Sequence, residues 1–258
     1  MRDTYSHGHH DAVLRSHRWR TVANSAAYLV PHLRPGLDLL DVGCGPGTIT
    51  VELAARLAPG RVLGIDTSDA VIAEARQLGD GFAVGDAYAP EGRWDIVHAH
   101  QVLQHLTDPV AALRAWRGVL RPGGLVAARD ADYAAFAWAP RDPLLDRWLA
   151  LYHDLTRHNR AEADAGRHLL GWAQAAGFDD VTLTSSTWTY ADPTSRAWWG
   201  GLWAERIVAS AFAEQAVAYG LSDAAELAAI AAAFRRWAAS PDGTFIVVHG
   251  EIIARVAA

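Results

Sequence analysis

The sequence predicts an α/β fold: seven short strands in one mostly parallel sheet, helices on both faces, and two helical insertions late in the chain. Three observations predict it. Short apolar runs alternate with helical stretches over the first 130 or so residues, the pattern of a parallel sheet with crossover helices. The first run ends in an alternating glycine turn, Gly43-Cys44-Gly45-Pro46-Gly47, that opens a helix at Thr48. Acids stand at the ends of the next two runs, Asp66 and Asp86, where the ligands of such sheets collect.

In chain order, residues 1–10 are polar and rich in histidine. His7, His9, His10 and His17 have neither metal-motif spacing nor a nearby carboxylate pair, so no metal site is expected there. Residues 11–30 read as one helix with Val13, Leu14, Val22, Ala26, Leu29 and Val30 on its apolar face, ended by Pro31. Together 1–32 are expected to form a helical lid. Strand one is Leu37 to Val42, and its helix carries Ile49, Val51, Leu53 and Leu57. Strand two, RVLGID, ends at Asp66, and Ser68 or Asp69 can cap the next helix. Strand three is GFAVGD, ending at Asp86, and strand four is WDIVHAH, ending at His100. Asp108-Pro109 starts a helix running to about Leu120, and the turn Arg121 to Gly124 leads into strand five, Leu125 to Arg129. A helix from Arg167 to Ala176 stops at Gly177. Val181 to Tyr190 and Thr244 to Val256 complete the strands. Residues 131–160 and 192–242 fit no alternating unit and read as a helical cap over the carboxyl ends of the sheet.

Composition bounds the function. The length of 258 residues suits a single domain, 1–258, with insertions. The net charge of −6 disfavours nucleic acid as substrate. All 23 basic residues are arginine, which excludes Schiff-base and lysine general-base chemistry. The single cysteine, Cys44, excludes a disulfide framework and a cysteine-ligated zinc. No apolar run is long enough to span a membrane, and the N-terminus has no hydrophobic signal core. A cytoplasmic protein is expected, and a homodimer is left open. Eight of the 11 tryptophans lie in the second half, pointing to a packed cap or an aromatic pocket there.

The chemistry gathers at the strand ends. Alternating glycines let the backbone turn tightly and approach a ligand, but the spacing is not the dinucleotide G-x-G-x-x-G, and no GK[ST] follows. A lysine-free chain also lacks any Tyr-x-x-x-Lys pair. Asp66, about twenty residues beyond the loop, suits the two hydroxyls of a ribose; as an N-cap it would serve the following helix instead. Asp86 suits an adenine amino group, with the Ala87 nitrogen donating to the ring; otherwise it is a turn aspartate. His105, His100 and Asp130 are the candidate bases, each with a packing or ion-pair role as its alternative.

The succession LLDVGCGPGT, GIDTS, VGDAY, WDIVHAHQVLQHLTDP and LRPGGLVAARD closely resembles the motifs of class I S-adenosylmethionine (SAM)-dependent methyltransferases of the ubiquinone/menaquinone-biosynthesis-like group. GRHLLGWAQAAGFDDVTLT resembles that family's late helix and strand. The resemblance implies a Rossmann-like sheet whose last strand is antiparallel, a SAM-binding core at 37–130, and S-adenosylhomocysteine (SAH) as product. It implies that Gly43, Cys44 and Gly45 hold the methionine part and that Asp66 binds the ribose with Thr67 beside it. Asp86 and Ala87 would read the adenine, and His100 and Gln101 would line the sulfonium. Arg20 would reach the SAM carboxylate, or else form a surface ion pair. The expected reaction is methyl transfer to a small apolar or aromatic acceptor. The alternative is a SAM-binding enzyme of this fold that catalyses a non-methylating cyclisation or rearrangement.

Overall fold

The computed structural model describes Asp3, Ser6 and residues 11–257, with side chains from Leu14 onward, apart from Asp3 and Ser6. His7, His9 and His10 lie outside the described residues. The sheet is built from β1 (Leu39–Val42), β2 (Val62–Asp66), β3 (Phe82–Val84), β4 (Trp94–His100), β5 (Leu120–Ala131), β6 (Ala137–Ala139), β7 (Asp180–Tyr190) and β8 (Thr244–Arg255). Its order is β3-β2-β1-β4-β5-β8, with β7 along the far edge of β8 and β6 pairing with β8 beyond the end of β5. β1 to β5 are mutually parallel, and β8 runs antiparallel to its neighbours, as expected.

The sheet thus has eight strands, not seven. The extra one, β6, falls within the segment read as cap. It exists because β8 outruns β5: Ile246 and Phe245 at the start of β8 still have open backbone groups, which Ala137 and Trp138 satisfy. The start of β5 also differs from expectation, because the Arg121–Gly124 turn is a bulge inside the strand, with Trp94 paired to Leu120 and Ile96 to Leu125.

The helices are α1 (Asp11–Arg18), α2 (Val22–Ser25), α3 (Thr48–Leu57), α4 (Asp69–Ala75), α5 (Pro109–Gly118), α6 (Pro143–His158), α7 (Ala165–Ala175), α8 (Pro193–Ala209), α9 (Ala211–Ala218) and α10 (Ala224–Ala239). The expected single helix over 11–30 is broken into α1, α2 and a 3-10 turn, Ala27–His32. Thr21 causes the break: its side chain accepts from Asn24 N while Asn24 returns a bond to Thr21 N, a reciprocal cap that starts a new helix. Ser210 likewise divides α8 from α9 by capping Phe212 N.

Three apolar clusters position the site. Leu39, Ile96 and Leu125 on one sheet face pack against Val22, Leu29, Leu53 and Leu57. Leu40, Val97 and Val126 on the other face pack against Leu113 and Trp116 of α5 and Leu169 of α7. The cap forms a third core, where Trp148 of α6, Trp203 of α8 and Phe234 of α10 pack edge-on and stacked around Phe245 of β8. Among the described residues no helix is long and apolar enough to cross a membrane.

Candidate active site

The glycine loop leaves β1 with Gly43, Gly45 and Gly47 all in the left-handed region, at φ 66°, 56° and 87°. The three have different neighbours. A Cβ on Gly43 would sit 2.4 Å from Val102 Cγ2, and one on Gly47 would sit 2.5 Å from the Phe82 ring. At Gly45 nothing lies closer than His17 Nδ1 at 3.8 Å, so its open side faces the cavity. Asp41 supports the loop from behind, accepting from Thr50 Oγ1 and pairing with His98 Nδ1 at 2.7 Å, all buried. Burial raises the Cys44 thiol far above its ordinary value, with Asp41 and Asp66 adding to the effect, so it is no nucleophile.

Asp66 reaches across the loop. One carboxylate oxygen accepts from Gly45 N at 3.2 Å and the other from Ser68 N at 3.0 Å. The helix cap is Ser68, whose Oγ accepts from Val71 N, so the N-cap alternative for Asp66 does not hold. Asp86 is exposed and accepts from Tyr88 N at 2.9 Å, while Ala87 is buried. Gly45, Asp66, Thr67, Asp86 and Ala87 line one wall of a cavity of about 530 Å³.

His100 and Gln101 line its floor, together with Arg20 and His105. Gln101 adopts φ 55°, rare outside glycine, and its amide donates to Arg129 O at 2.7 Å. Its side chain links Arg20, which donates to Oε1, to His249 Nε2, which accepts from Nε2 at 2.9 Å. That bond leaves the His249 proton on Nδ1. His100 is buried with no partner at either ring nitrogen. Burial, then the charges of Arg20 and Arg129, hold it well below the usual imidazole range, so it is neutral. Burial pushes His105 down to about 3. Gln104 Oε1 accepts from Ala131 N, so its amide nitrogen donates to His105 Nε2 at 3.1 Å and occupies the atom a base would use.

Asp130 stands apart from the expected set, because it does not line the cavity. Successive strand residues face opposite sides, and Arg129, the register partner of His100, takes the same sheet face as His100. Asp130 is buried on the other side, accepting from Gln104 N at 3.1 Å, and burial raises it to about 7.

Sequence reading missed the buried layer beneath His100. Arg129 Nε donates to Glu251 Oε1 and Ser186 Oγ at 3.0 Å, and its guanidinium lies 4.9 Å from the Trp188 ring centre. These partners lie more than fifty residues away in sequence, and the only local signal was the same-face spacing of Ser186, Trp188 and Tyr190. The opposite end of the cavity is aromatic. Tyr190 stacks on Trp199 at 4.5 Å, Trp19 meets Trp188 and Trp198, and Tyr133, Phe136 and Trp203 complete the wall. Arg206 of α8 also lines it and donates to Ser16 Oγ. The tryptophans at 199 and 203 are therefore both core and pocket wall, whereas Trp237 is core alone. Among the described residues no group of three or more metal-ligating side chains comes together.

These features fit an adenosyl-sulfonium cofactor: a glycine with open space before it, an acid tied to that glycine, a second acid beyond, and a cavity of about 530 Å³ in front of them. The profile of the family described as "Methyltransferase domain" matches residues 14–183. The chain belongs to the class I SAM-dependent methyltransferases. An uncharacterized methyltransferase of Schizosaccharomyces pombe is 31% identical, covering 96% of this chain and 95% of that one. A trans-aconitate 2-methyltransferase of Methylobacterium radiotolerans is 35% identical over 64% of this chain and 73% of its own length. Among solved structures, the Haemonchus contortus phosphoethanolamine N-methyltransferase 2 in complex with SAH shares the fold, with a TM-score of 0.58 at 15% identity. It covers 96% of this methyltransferase, which spans 58% of that chain. The cofactor of this methyltransferase is SAM.

Proposed function

We propose that this methyltransferase acts on a small apolar or aromatic acceptor, bound in the same cavity as the cofactor. One observation carries the reading: Asp66 and Gly45 at one end and Tyr190, Trp199 and Trp203 at the other line a single continuous cavity. The bound cofactor would supply an electrophilic methyl group on a sulfonium, whose sulfur would leave as a neutral thioether. The chain's task is to bind, orient and exclude water, and such alignment supplies roughly 7–11 kcal/mol.

In this reading the Gly43 to Gly45 backbone holds the methionine part, and Asp66 accepts from the ribose hydroxyls beside Thr67. Asp86 and the Ala87 nitrogen read the adenine, while His100 and Gln101 flank the reacting end. Arg20, held by Gln101, faces the methionine carboxylate. His100 and His105 are neutral and act by shape and dipole; with the His105 Nε2 already accepting from Gln104, neither is a strong base. Asp130 positions Gln104 instead of touching reactants. The N-terminal helical segment, of which α1, α2 and the 3-10 turn Ala27–His32 are described, serves as the lid.

Isothermal titration tests the reading. SAM is expected to bind in the micromolar range, and Asp66→Ala is expected to weaken it by about tenfold or more, the loss of two charge-assisted hydrogen bonds. SAM affinity unchanged in Asp66→Ala contradicts the assignment. Release of SAH with an aromatic acceptor panel, and none without acceptor, identifies methyl transfer over a rearrangement.

A further inference from the structure

We infer that the acceptor carries a neutral carbonyl-type oxygen on its flat body, and that the Tyr190 hydroxyl and the Trp199 indole N–H select for it at the aromatic end of the cavity. The inference rests on the proposed acceptor site and specifies what that site recognises.

The body of the acceptor is set by the wall. Tyr190 stacks on Trp199 at 4.5 Å, and Tyr133 on Phe136 at 4.5 Å. Flat rings and conjugated chains fit such surfaces. β7 brings alternate side chains to this wall but treats their polar atoms differently. Trp188 Nε1 donates to Asn24 O at 2.6 Å. Two residues on, the Tyr190 hydroxyl has no protein partner, and neither has Trp199 Nε1. Tyr190 is 2% exposed and Trp199 5%, and polar groups so buried are ordinarily bonded. Both residues line the cavity, so a bound molecule can complete their bonds. The indole nitrogens of Trp138 and Trp148 also lack a partner, but those rings belong to the cap core and do not line the cavity.

The chemistry of the two groups names the ligand atom. An indole N–H only donates. Burial keeps the Tyr190 phenol far above its usual value, so it too retains a proton to donate. The matching atom is an acceptor oxygen. Both donors are uncharged, and taking a carboxylate or an ammonium out of water is costly unless a charge is paired with it. A neutral carbonyl completes the same bonds without that cost. Arg206 donates to Ser16 Oγ and takes no part in this selection.

The test compares acetophenone with its hydrocarbon isostere α-methylstyrene, and with benzoate and 1-phenylethylamine, titrated into SAH-saturated protein and read by ligand-observed NMR. Acetophenone is expected to bind about fivefold or more tightly than each of the other three. Tyr190→Phe is expected to reduce its preference over α-methylstyrene by about threefold while SAH affinity moves less than about threefold. Equal binding of acetophenone and α-methylstyrene overturns the inference and leaves the acceptor site standing. Benzoate or 1-phenylethylamine binding as tightly as acetophenone overturns it too, as does a preference unchanged in Tyr190→Phe. Failure of all four to bind counts against the acceptor reading, and melting of the ligand-free proteins then decides the inference. With no protein bond to lose, Tyr190→Phe is expected to match or exceed the wild-type Tm; a fall of about 3 °C or more, or loss of folding, shows a partner within the protein and overturns it.

Discussion

Single residues set the protonation of the site. His100, His105 and His249 are buried and held below the ordinary imidazole value. A group whose folded-state value is lowered binds its proton more weakly folded than unfolded. Stability is therefore lost as pH falls from about 6.5, and for His105 the loss continues toward about 3. Asp130 has the opposite sign. Raised from 3.8 to about 7, it holds its proton more tightly folded, and its contribution falls as pH rises through that window. Three groups against one leave net acid destabilisation. Calorimetric melts are expected to show Tm falling from pH 7 to pH 5, less steeply in His105→Gln. Asp130→Asn is expected to raise Tm more at pH 8 than at pH 5. A Tm that rises on acidification in the wild type contradicts the buried-histidine account. Of these residues, His100, His105 and Asp130 were legible in the sequence as polar groups near strand ends. Which face Asp130 takes was not, because a one-residue alternation depends on the register of β5 against β4. His249 was not found either, because β8 returns to the site more than a hundred residues later.

At the scale of elements, the β1 turn into α3 divides its labour among three glycines. Gly47 is needed for folding, because its φ of 87° and the Phe82 ring 2.5 Å from any Cβ leave no room for a side chain. Gly45 is needed for binding, because its open side faces the cavity. Gly47→Ala is expected to cost about 2–3 kcal/mol in denaturant unfolding, from overpacking together with strain. Gly45→Ala is expected to cost about 1–2 kcal/mol of backbone strain yet weaken SAM about tenfold or more. Equal losses of stability with unaltered SAM affinity would sink this division. The turn itself was plain in the sequence, since glycine spacing is local. The break of 11–30 into three pieces was not, because the Thr21–Asn24 cap competes with a periodicity that suits one helix.

At the scale of the molecule, three distant segments close one cavity. α1 crosses between the two walls, with Arg18 bonded to Glu74 of α4 at 2.7 Å and Arg15 to Glu205 of α8. Both pairs are substantially exposed, so each contributes little alone. The Trp19 contacts with Trp188 and Trp198 supply the apolar part of the closure. Segments 131–160 and 192–242 stand out in the sequence because they interrupt the strand–helix alternation, although the first also contains β6. Their residues could not be assigned to pocket or core, since Trp199 and Trp203 serve both. The central claim is that the Gly45–Asp66 corner holds the adenosyl sulfonium. A crystal structure with SAH tests it most directly. The account predicts the ribose hydroxyls on the Asp66 carboxylate, the adenine beside Asp86 and Ala87, and the sulfur facing His100; SAH lodged elsewhere in the cavity, or Asp66 turned from the sugar, would contradict it.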